Sequence, residues 1–444
     1  MAAVIWIGYT TLYREGGPKF ERAAKTLARE KAAAHPELSV RCEAVESKRD
    51  FVDAMTKIAK SGQTIHELHF IGHSGMYGPM FRTTEMPEQF SPHEWRSLKL
   101  PFAPEGEAFF HACRSARWFA PFFARTLGVP ASGYHHYTSV SLRPDHFVWE
   151  ARRSDPHAPL YIVACAGKKS HGSFATLAKY AGVTPVETMK RFVPSEPSGD
   201  ASYNAVATAY AGVFTDIGVR RDEWEWLLPR VQRMQACFPR GLRVLDVGCG
   251  NGALLSKLAG HLREGIGVDA SASMIELARA RANTEGNHHL RFNVLHGPKI
   301  DLADHSVELI VSLLSFRYLD WDPIMNEFRR VLAPGGRIFI VDMVTLPCRW
   351  YEWPAVVADK LRQMHTHSQN PEFARRLQSL THMPEWSTLL KYNPIRAEHE
   401  YRWYLESRFP ERRVETLNVG WRNRMLAFDS GPLRPGWVAP QSYP

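Results

Sequence analysis

The sequence predicts an α/β protein of two domains, each built around a mainly parallel sheet. Three observations carry that expectation. Short apolar runs alternate with stretches whose apolar residues recur at helical spacing, the pattern of strands joined by crossover helices. Near the middle, a strand-like run opens into a loop with Gly248, Gly250 and Gly252 at every second position. Residues 193–199, polar and rich in Pro, Ser and Gly, interrupt the alternation and read as a linker. A length of 444 residues exceeds what one ordinary core organises, and 44% hydrophobic with 23% charged residues is the composition of a globular protein.

In the first half, Val4–Tyr9 reads as a strand and Pro18–Ala34 as a helix with Phe20, Ala23, Ala24, Leu27 and Ala28 on one face. Strand Leu38–Val45, helix Arg49–Lys60 and strand Ile65–Ile71 continue the alternation, which implies right-handed crossovers. Two further stretches, Glu67–Gly75 and Glu107–Ala116, each deliver a reactive side chain, His73 and Cys113, at the carboxyl end of an apolar strand. That is where an α/β sheet places its site. Such a pair can act as base and nucleophile, the imidazole taking the thiol proton and the sulfur attacking a carbonyl. Ser74 does not make a serine elbow, because Met76 stands where that motif needs Gly. Helix Trp118–Leu127, strands His146–Ala151 and Leu160–Gly167, and helix Phe174–Ala181 complete this half, with Cys165 read as a core residue.

The order of these features, His73, then Cys113 after a hydrophobic strand ending in Ala-Cys, then a helix and GVPASGYH, resembles the caspase, gingipain and CHAT clan of cysteine peptidases over residues 65–135. The resemblance implies a caspase-like parallel-sheet domain over residues 1–192 with His73 and Cys113 as its catalytic pair. It departs at Ser74, where the clan places Gly directly after the His to help bind an oxyanion. The alternative is a domain that has kept the fold with Cys113 as a buried, inert thiol.

In the second half, Asp200 reads as an N-cap for a helix carrying Tyr203, Val206, Ala207, Tyr210, Val213 and Phe214, and a second helix spans Glu223–Gln235. Arg243–Asp269 then gives strand, glycine loop, helix and a second strand, half of a nucleotide-binding unit. The spacing G-x-G-x-G is neither the dinucleotide fingerprint nor a phosphate loop, and no Lys or Arg lies between Gly248 and Ser256. Asp246 before the loop and Asp269 after the second strand suit a cationic ligand with a ribose, whose hydroxyls an acidic strand end can accept. VLDVGCGNG, GVDAS and VLAPGGRIFIVD together resemble the class I S-adenosylmethionine-dependent methyltransferases. The resemblance implies a Rossmann-like, seven-stranded methyltransferase domain over residues 200–444 with S-adenosyl-L-methionine as cofactor. It further implies that Tyr203 or Tyr210 lies over the cofactor as a lid, and that Ala270, Ser271 and Met274 meet ribose and adenine. The family usually places an acidic residue where His296 and Gly297 stand, so adenine is expected to be held mainly by backbone there.

Val307–Leu314 reads as the fourth strand, ending at Ser312 with Phe316, Arg317 and Tyr318 facing the transferring methyl. SLLSFRY lacks the Asn/Asp-Pro-Pro-Tyr of enzymes acting on base amines or glutamine amides, so those acceptors are not expected. Helix Pro323–Val331, the turn Ala333-Pro334-Gly335-Gly336 and strand Arg337–Asp342 follow, and a hairpin over Arg413–Val419 and Arg424–Asp429 closes the half. Residues 345–410 are helical at Trp353–His365 and Glu372–Leu380; the resemblance implies that this insertion builds the substrate cap, with Arg349, Trp350, Tyr351, Trp353, Arg402, Trp403 and Tyr404 the candidates for lining a pocket. The expected acceptor is a small molecule or a peptide. The net charge of +9 reads as a basic solvated surface, and no nucleic-acid module is recognisable. His365 and His367 fall on different helix faces, and no metal site is expected. The six cysteines are scattered without ligand spacing, which points to free thiols in a reducing cytoplasm. No apolar run reaches membrane-spanning length, and the N-terminus lacks the features of a signal peptide.

Overall fold

The computed structural model describes residues 3–433 apart from 151–154, 156–157, 167–172, 195–202, 239, 347 and 394. The expected linker and the N-cap at Asp200 fall largely outside the described residues, as does the Pro-rich tail. Contacts divide the chain into two units, Met1–Ser198 and Gly199–Gln441.

In the first unit, β1 (Ala3–Tyr9), α1 (Gly17–Ala34), β2 (Ser39–Ala44), α2 (Lys48–Lys60) and β3 (Thr64–Ile71) alternate as the apolar spacing requires. A short hairpin, β4 (Ser74–Gly75) and β5 (Gly78–Pro79), leads to α3 (Pro92–Ser97) and β6 (Phe102–His111). The rest is α4 (Phe119–Leu127), β7 (Ala131–Gly133), β8 (Thr138–Ser141), β9 (Tyr161–Ala164), α5 (Ser173–Tyr180) and β10 (Lys190–Phe192). The main sheet has the order β10-β7-β6-β3-β1-β2, parallel except for β10. The strand expected at His146–Ala151 is absent from its described part. The Ser141 hydroxyl donates to the His146 carbonyl and accepts from the Val148 N–H, and His146 makes only an isolated antiparallel bridge to Pro185, so the segment pairs at single points and not along a ladder.

One face of this sheet closes on an aromatic core. The buried Trp95 ring lies against Phe51, Phe90, Phe119 and Phe123 at centroid distances of 4.7–5.8 Å, and its Nε1–H donates to the Tyr77 carbonyl. Apolar burial and a satisfied indole nitrogen reinforce each other here.

The second unit opens with α6 (Ala207–Val213) and α7 (Arg221–Cys237), then β11 (Leu242–Val247), α8 (Ala253–Leu258), β12 (Leu262–Asp269), α9 (Ala272–Thr284) and β13 (Leu290–Val294). It continues with β14 (Val307–Leu313), α10 (Trp321–Val331) and β15 (Leu332–Thr345). Four helices follow, α11 (Trp353–Gln369), α12 (Pro371–Thr381), α13 (Pro384–Tyr392) and α14 (Glu398–Arg408), before the hairpin of β16 (Glu415–Val419) and β17 (Asn423–Asp429). The sheet order is β13-β12-β11-β14-β15-β17-β16, with the hairpin antiparallel to a parallel core. The chain runs outward from β11 to β13 and returns on the other side at β14. That reversal opens a crevice beyond the carboxyl ends of β11 and β14. The Ala333–Gly336 turn is absorbed into β15 as an irregularity of register opposite Val307 and Leu309.

Trp95→Ala removes the ring at the centre of the first unit's aromatic core. It should cost about 3–5 kcal/mol, read as an earlier unfolding transition in guanidinium.

Candidate functional site

The site grows from the end of β11. Asp246, on the central strand, pairs in register with Gly267 of β12 and Val311 of β14, which leaves its side chain 2% exposed. No described residue donates a hydrogen bond to it. Burial, with Asp269 nearby as a second carboxylate, pushes its pKa up to about 8. Asp269, at the end of β12, is also shifted upward by burial, but the Gly250 and Ser271 N–H groups donate to its two oxygens at 2.9 and 2.8 Å and partly offset the shift.

The glycine loop follows from close approach. Gly248 sits at φ +78°, and a Cβ there would collide with the Ser315 side chain. The contact is needed because the Ser315 hydroxyl, 2.6 Å from the Val247 carbonyl, ties the segment after β14 to the end of β11. At Gly250, φ is +53° and a Cβ would meet nothing within 4 Å. The backbone there borders open space beside Asp269. Gly252, by contrast, packs close to Phe292 and Ala278.

A segment preceding α6 lies over this end of the sheet. The Asn204 side-chain oxygen accepts from the Ser271 hydroxyl at 2.7 Å and from the Ser273 N–H at 3.3 Å. The neighbouring Tyr203 hydroxyl is 3.2 Å from that of Tyr318, which accepts from Arg317 Nη2 at 2.9 Å. Arg317 Nη1 in turn donates to Asp342 at 2.6 Å. Burial works against the Arg317 charge, but Asp342 outweighs it and holds the guanidinium protonated. Burial, with Tyr318 and Tyr210 close by, keeps the Tyr203 phenol neutral well beyond the ordinary range. Asn251 of the glycine loop donates to the Phe214 carbonyl at 3.1 Å, fixing the far end of the same segment. Tyr203 and Tyr210 also pack against Trp386 of α13, so the leading segment and the cap helices share one hydrophobic cluster.

Several expected contacts resolve differently. Ser312 is fully buried and its hydroxyl donates to the Val247 carbonyl, so it supports the strand ends from within. Phe316 is fully buried and stacked on Trp321 in the core. Met274 is buried beneath the N-terminus of α9, where the Ser271 hydroxyl accepts its N–H. Trp403 packs on Trp321 and Tyr404. Trp350, Tyr351 and Trp353 are more than half exposed, with Trp353 edge-on to Trp421, and none has a described contact with Tyr203 or Tyr318. Ala270 and His296 are exposed at the strand ends. Asn204, Asn251, Ser315 and Asp342 were not legible as site residues, because Asn and Ser in loops are ordinary turn residues and Asp342 closes an ordinary strand.

In the first unit, β3 and β6 run parallel with Ile71 opposite His111, so His73 and Cys113 both follow neighbouring strand ends. They do not hydrogen-bond to each other. His73 Nε2 meets the Glu15 carbonyl at 3.1 Å, and burial, with Arg14 nearby, lowers its pKa. Cys113 Sγ lies 3.1 Å from the Thr138 hydroxyl. From the same strands a partly buried chain the sequence did not reveal runs through the buried His69: Lys31 to Glu67 at 2.6 Å, Glu67 to His69 at 2.8 Å and His69 to His111 at 3.0 Å. Among the described residues no group of His, Cys, Asp and Glu has the arrangement of a metal site.

The second unit is an α/β domain whose reversal of strand order sets two adjacent carboxylates, Asp246 and Asp269, beside a glycine loop. Residues 244–336 match the family model described as a methyltransferase domain. The chain is 38% identical over 109 residues to methyltransferase GfsG of Streptomyces halstedii, spanning 23% of this chain and 38% of that protein. It is 26% identical over 164 residues to the uncharacterized methyltransferase YcgJ of Bacillus subtilis, spanning 37% and 60%. A demethylmenaquinone methyltransferase of Lactococcus lactis is 26% identical over 144 residues, spanning 32% and 56%. The crystal structure of YcgJ aligns with a TM-score of 0.28 and 19% identity, covering 46% of this chain and 98% of that one. The chain thus spans less than two thirds of the length of these curated relatives. The second unit carries an S-adenosylmethionine-dependent methyltransferase domain. Its residues fit that cofactor: a buried carboxylate without a hydrogen-bond partner among the described residues suits a cation, and the space beside Gly250 adjoins a carboxylate suited to a ribose.

Gly248→Ala should lower the melting temperature, since the strain and the Ser315 collision together cost at least about 1 kcal/mol. Gly250→Ala carries only the cost of its left-handed φ, about 1 kcal/mol, so it should lower melting less than Gly248→Ala while weakening S-adenosylhomocysteine binding, because its methyl points into the open space beside Asp269. Calorimetric titration and thermal melts of both variants check the contrast.

Proposed function

We propose that the whole chain transfers a methyl group from S-adenosylmethionine to a small-molecule acceptor held between the end of β14 and the cap, residues 345–410. The observation that carries this reading is Asp246, a buried carboxylate with no cation or hydrogen-bond donor among the described residues, beside Asp269 at the point where strand order reverses. When bound, the cofactor supplies a methyl carbon already made electrophilic by its sulfonium. The protein's own part is placement. Asp246 meets positive charge, Asp269 offers acceptors to ribose hydroxyls, and Asn204 ties the covering segment down over both. Holding two reactants in line in a dry site accounts for roughly 7–11 kcal/mol of barrier. Asp342 is no base for the acceptor, because Arg317 Nη1 and the N–H groups of Arg317 and Met343 already occupy it. A small-molecule acceptor is supported by the demethylmenaquinone methyltransferase among the relatives. No described helix is long and apolar enough to cross a membrane. The six free cysteines support a cytoplasmic setting.

The sign of the pH dependence follows from Asp246. A cation binds its ionised form, and below about 8 the free protein holds it protonated. S-adenosylhomocysteine lacks the sulfonium but keeps the α-ammonium as the cation for Asp246, so its affinity should weaken by about tenfold per pH unit below that value and level off just above it. Asp246→Asn should abolish the slope and weaken binding. It should also raise the melting temperature of the ligand-free protein at high pH, since an ionised, buried, unpaired carboxylate opposes folding there. Titrations and melts across pH would contradict the assignment if the wild-type affinity were flat.

The caspase-like reading of residues 1–192 gives that unit a scaffold, recognition or auxiliary catalytic role. The adjacent strand ends bearing His73 and Cys113 favour a second reading, a cysteine peptidase with an accessory methyltransferase domain. Labelling by an electrophilic peptide probe that vanishes in Cys113→Ala supports it. Absence of labelling leaves the unit as a scaffold.

A further inference from the structure

The hydroxyls over the acceptor crevice can be counted. Tyr318 accepts from Arg317 Nη2, and the Tyr203 and Tyr318 hydroxyls share one hydrogen bond. Two phenols bring two hydrogens, and their mutual bond uses one. Whichever donates, one O–H hydrogen is left without an acceptor among the described residues. Arg317 Nε is likewise buried with no partner, on a residue 8% exposed. Arg317 stacks 4.6 Å from the Tyr318 ring centroid, so its cationic face and the surplus hydroxyl belong to one aromatic cluster. Among the described residues the carboxylate this cluster touches, Asp342, already accepts from N–H donors and the Tyr401 hydroxyl, so the cluster has hydrogens to give and no free acceptor. The missing partner is an oxygen, and a negatively charged one gains most from these donors.

We infer that the methyl acceptor presents an anionic oxygen to the Tyr203–Tyr318 hydroxyl pair and the Arg317 guanidinium. This rests on the methyltransferase reading and specifies its acceptor class. An acceptor that arrives as an anion needs no general base, and none is free beside Tyr318. The oxygen's electron pair forms the new bond to the methyl carbon as the methyl–sulfur bond breaks. The broken bond's pair stays on sulfur, so anion and sulfonium give two uncharged centres and no proton moves. Phenolates and carboxylates share this chemistry.

The test loads the full chain with S-adenosylhomocysteine and titrates para-nitrophenol, para-nitrobenzoate and para-nitroaniline, which share a ring and differ in the polar group. An anionic probe should bind at least about tenfold tighter than the aniline, and whichever anion binds better identifies the source. Tyr203→Phe and Tyr318→Phe should each keep most of that preference, because the remaining hydroxyl still has a hydrogen to give. The double variant should lose at least about tenfold in anion affinity while binding the aniline as before. Equal binding of the aniline, or a double variant that binds anions like the wild type, overturns the inference. Failure of S-adenosylhomocysteine itself to bind would instead defeat the cofactor reading, and the first titration separates the two.

Discussion

Two carboxylates set side by side in a low-dielectric strand end are the constraint on which the second unit turns. A single buried carboxylate without a partner is costly, and two repel. Asp269 is eased by backbone N–H groups from the glycine loop and from the start of α9, whereas Asp246 has no such relief. Holding an acid in the central strand with no hydrogen-bond donor among the described residues costs stability once it ionises, and burial with Asp269 beside it raises its pKa to about 8. The glycine loop belongs to the same device: its left-handed turns aim an N–H at Asp269 and keep the neighbouring space clear.

The covering segment connects this pair of acids to the acceptor side. Asn204 rests on the Ser271 turn beside Asp269, and one residue earlier Tyr203 reaches Tyr318 and, through it, Arg317 and Asp342. One short stretch therefore senses the ends of β12, β14 and β15 at once. Its other side packs on α12 and α13, so the cap is continuous with the cofactor cover. In the first unit the Lys31–Glu67–His69–His111 chain is a comparable, partly buried polar network. Burial opposes the Glu67 charge, yet His69 and Lys31 outweigh it and hold the pKa down to about 2.

Much of the fold was legible because strand and helix periodicity survives burial: the alternation from Val4 to Ile71 and the strand–loop–helix around Gly248 both follow from it. The exceptions are short elements held by side chains. His146–Ala151 has the apolar character of a strand, but the Ser141 hydroxyl takes two of its backbone groups, and a single residue of that kind gives no periodic signal. The aromatic residues of the cap were equally ambiguous, since Trp350 and Trp403 look alike in sequence and differ only in that one is exposed and the other packs on Trp321.

By itself the sequence determined the alternating architecture, the glycine-lined strand end and the two acids beside it. These are local: backbone φ values, spacing and charge act within a few residues. Only the tertiary structure decided that Asp246 is unpartnered, that Ser315 dictates Gly248, and that Tyr203 meets Tyr318 and Arg317. Each of those depends on which strand ends lie side by side, and hydrogen-bond partners distant along the chain leave no mark on the residues that separate them.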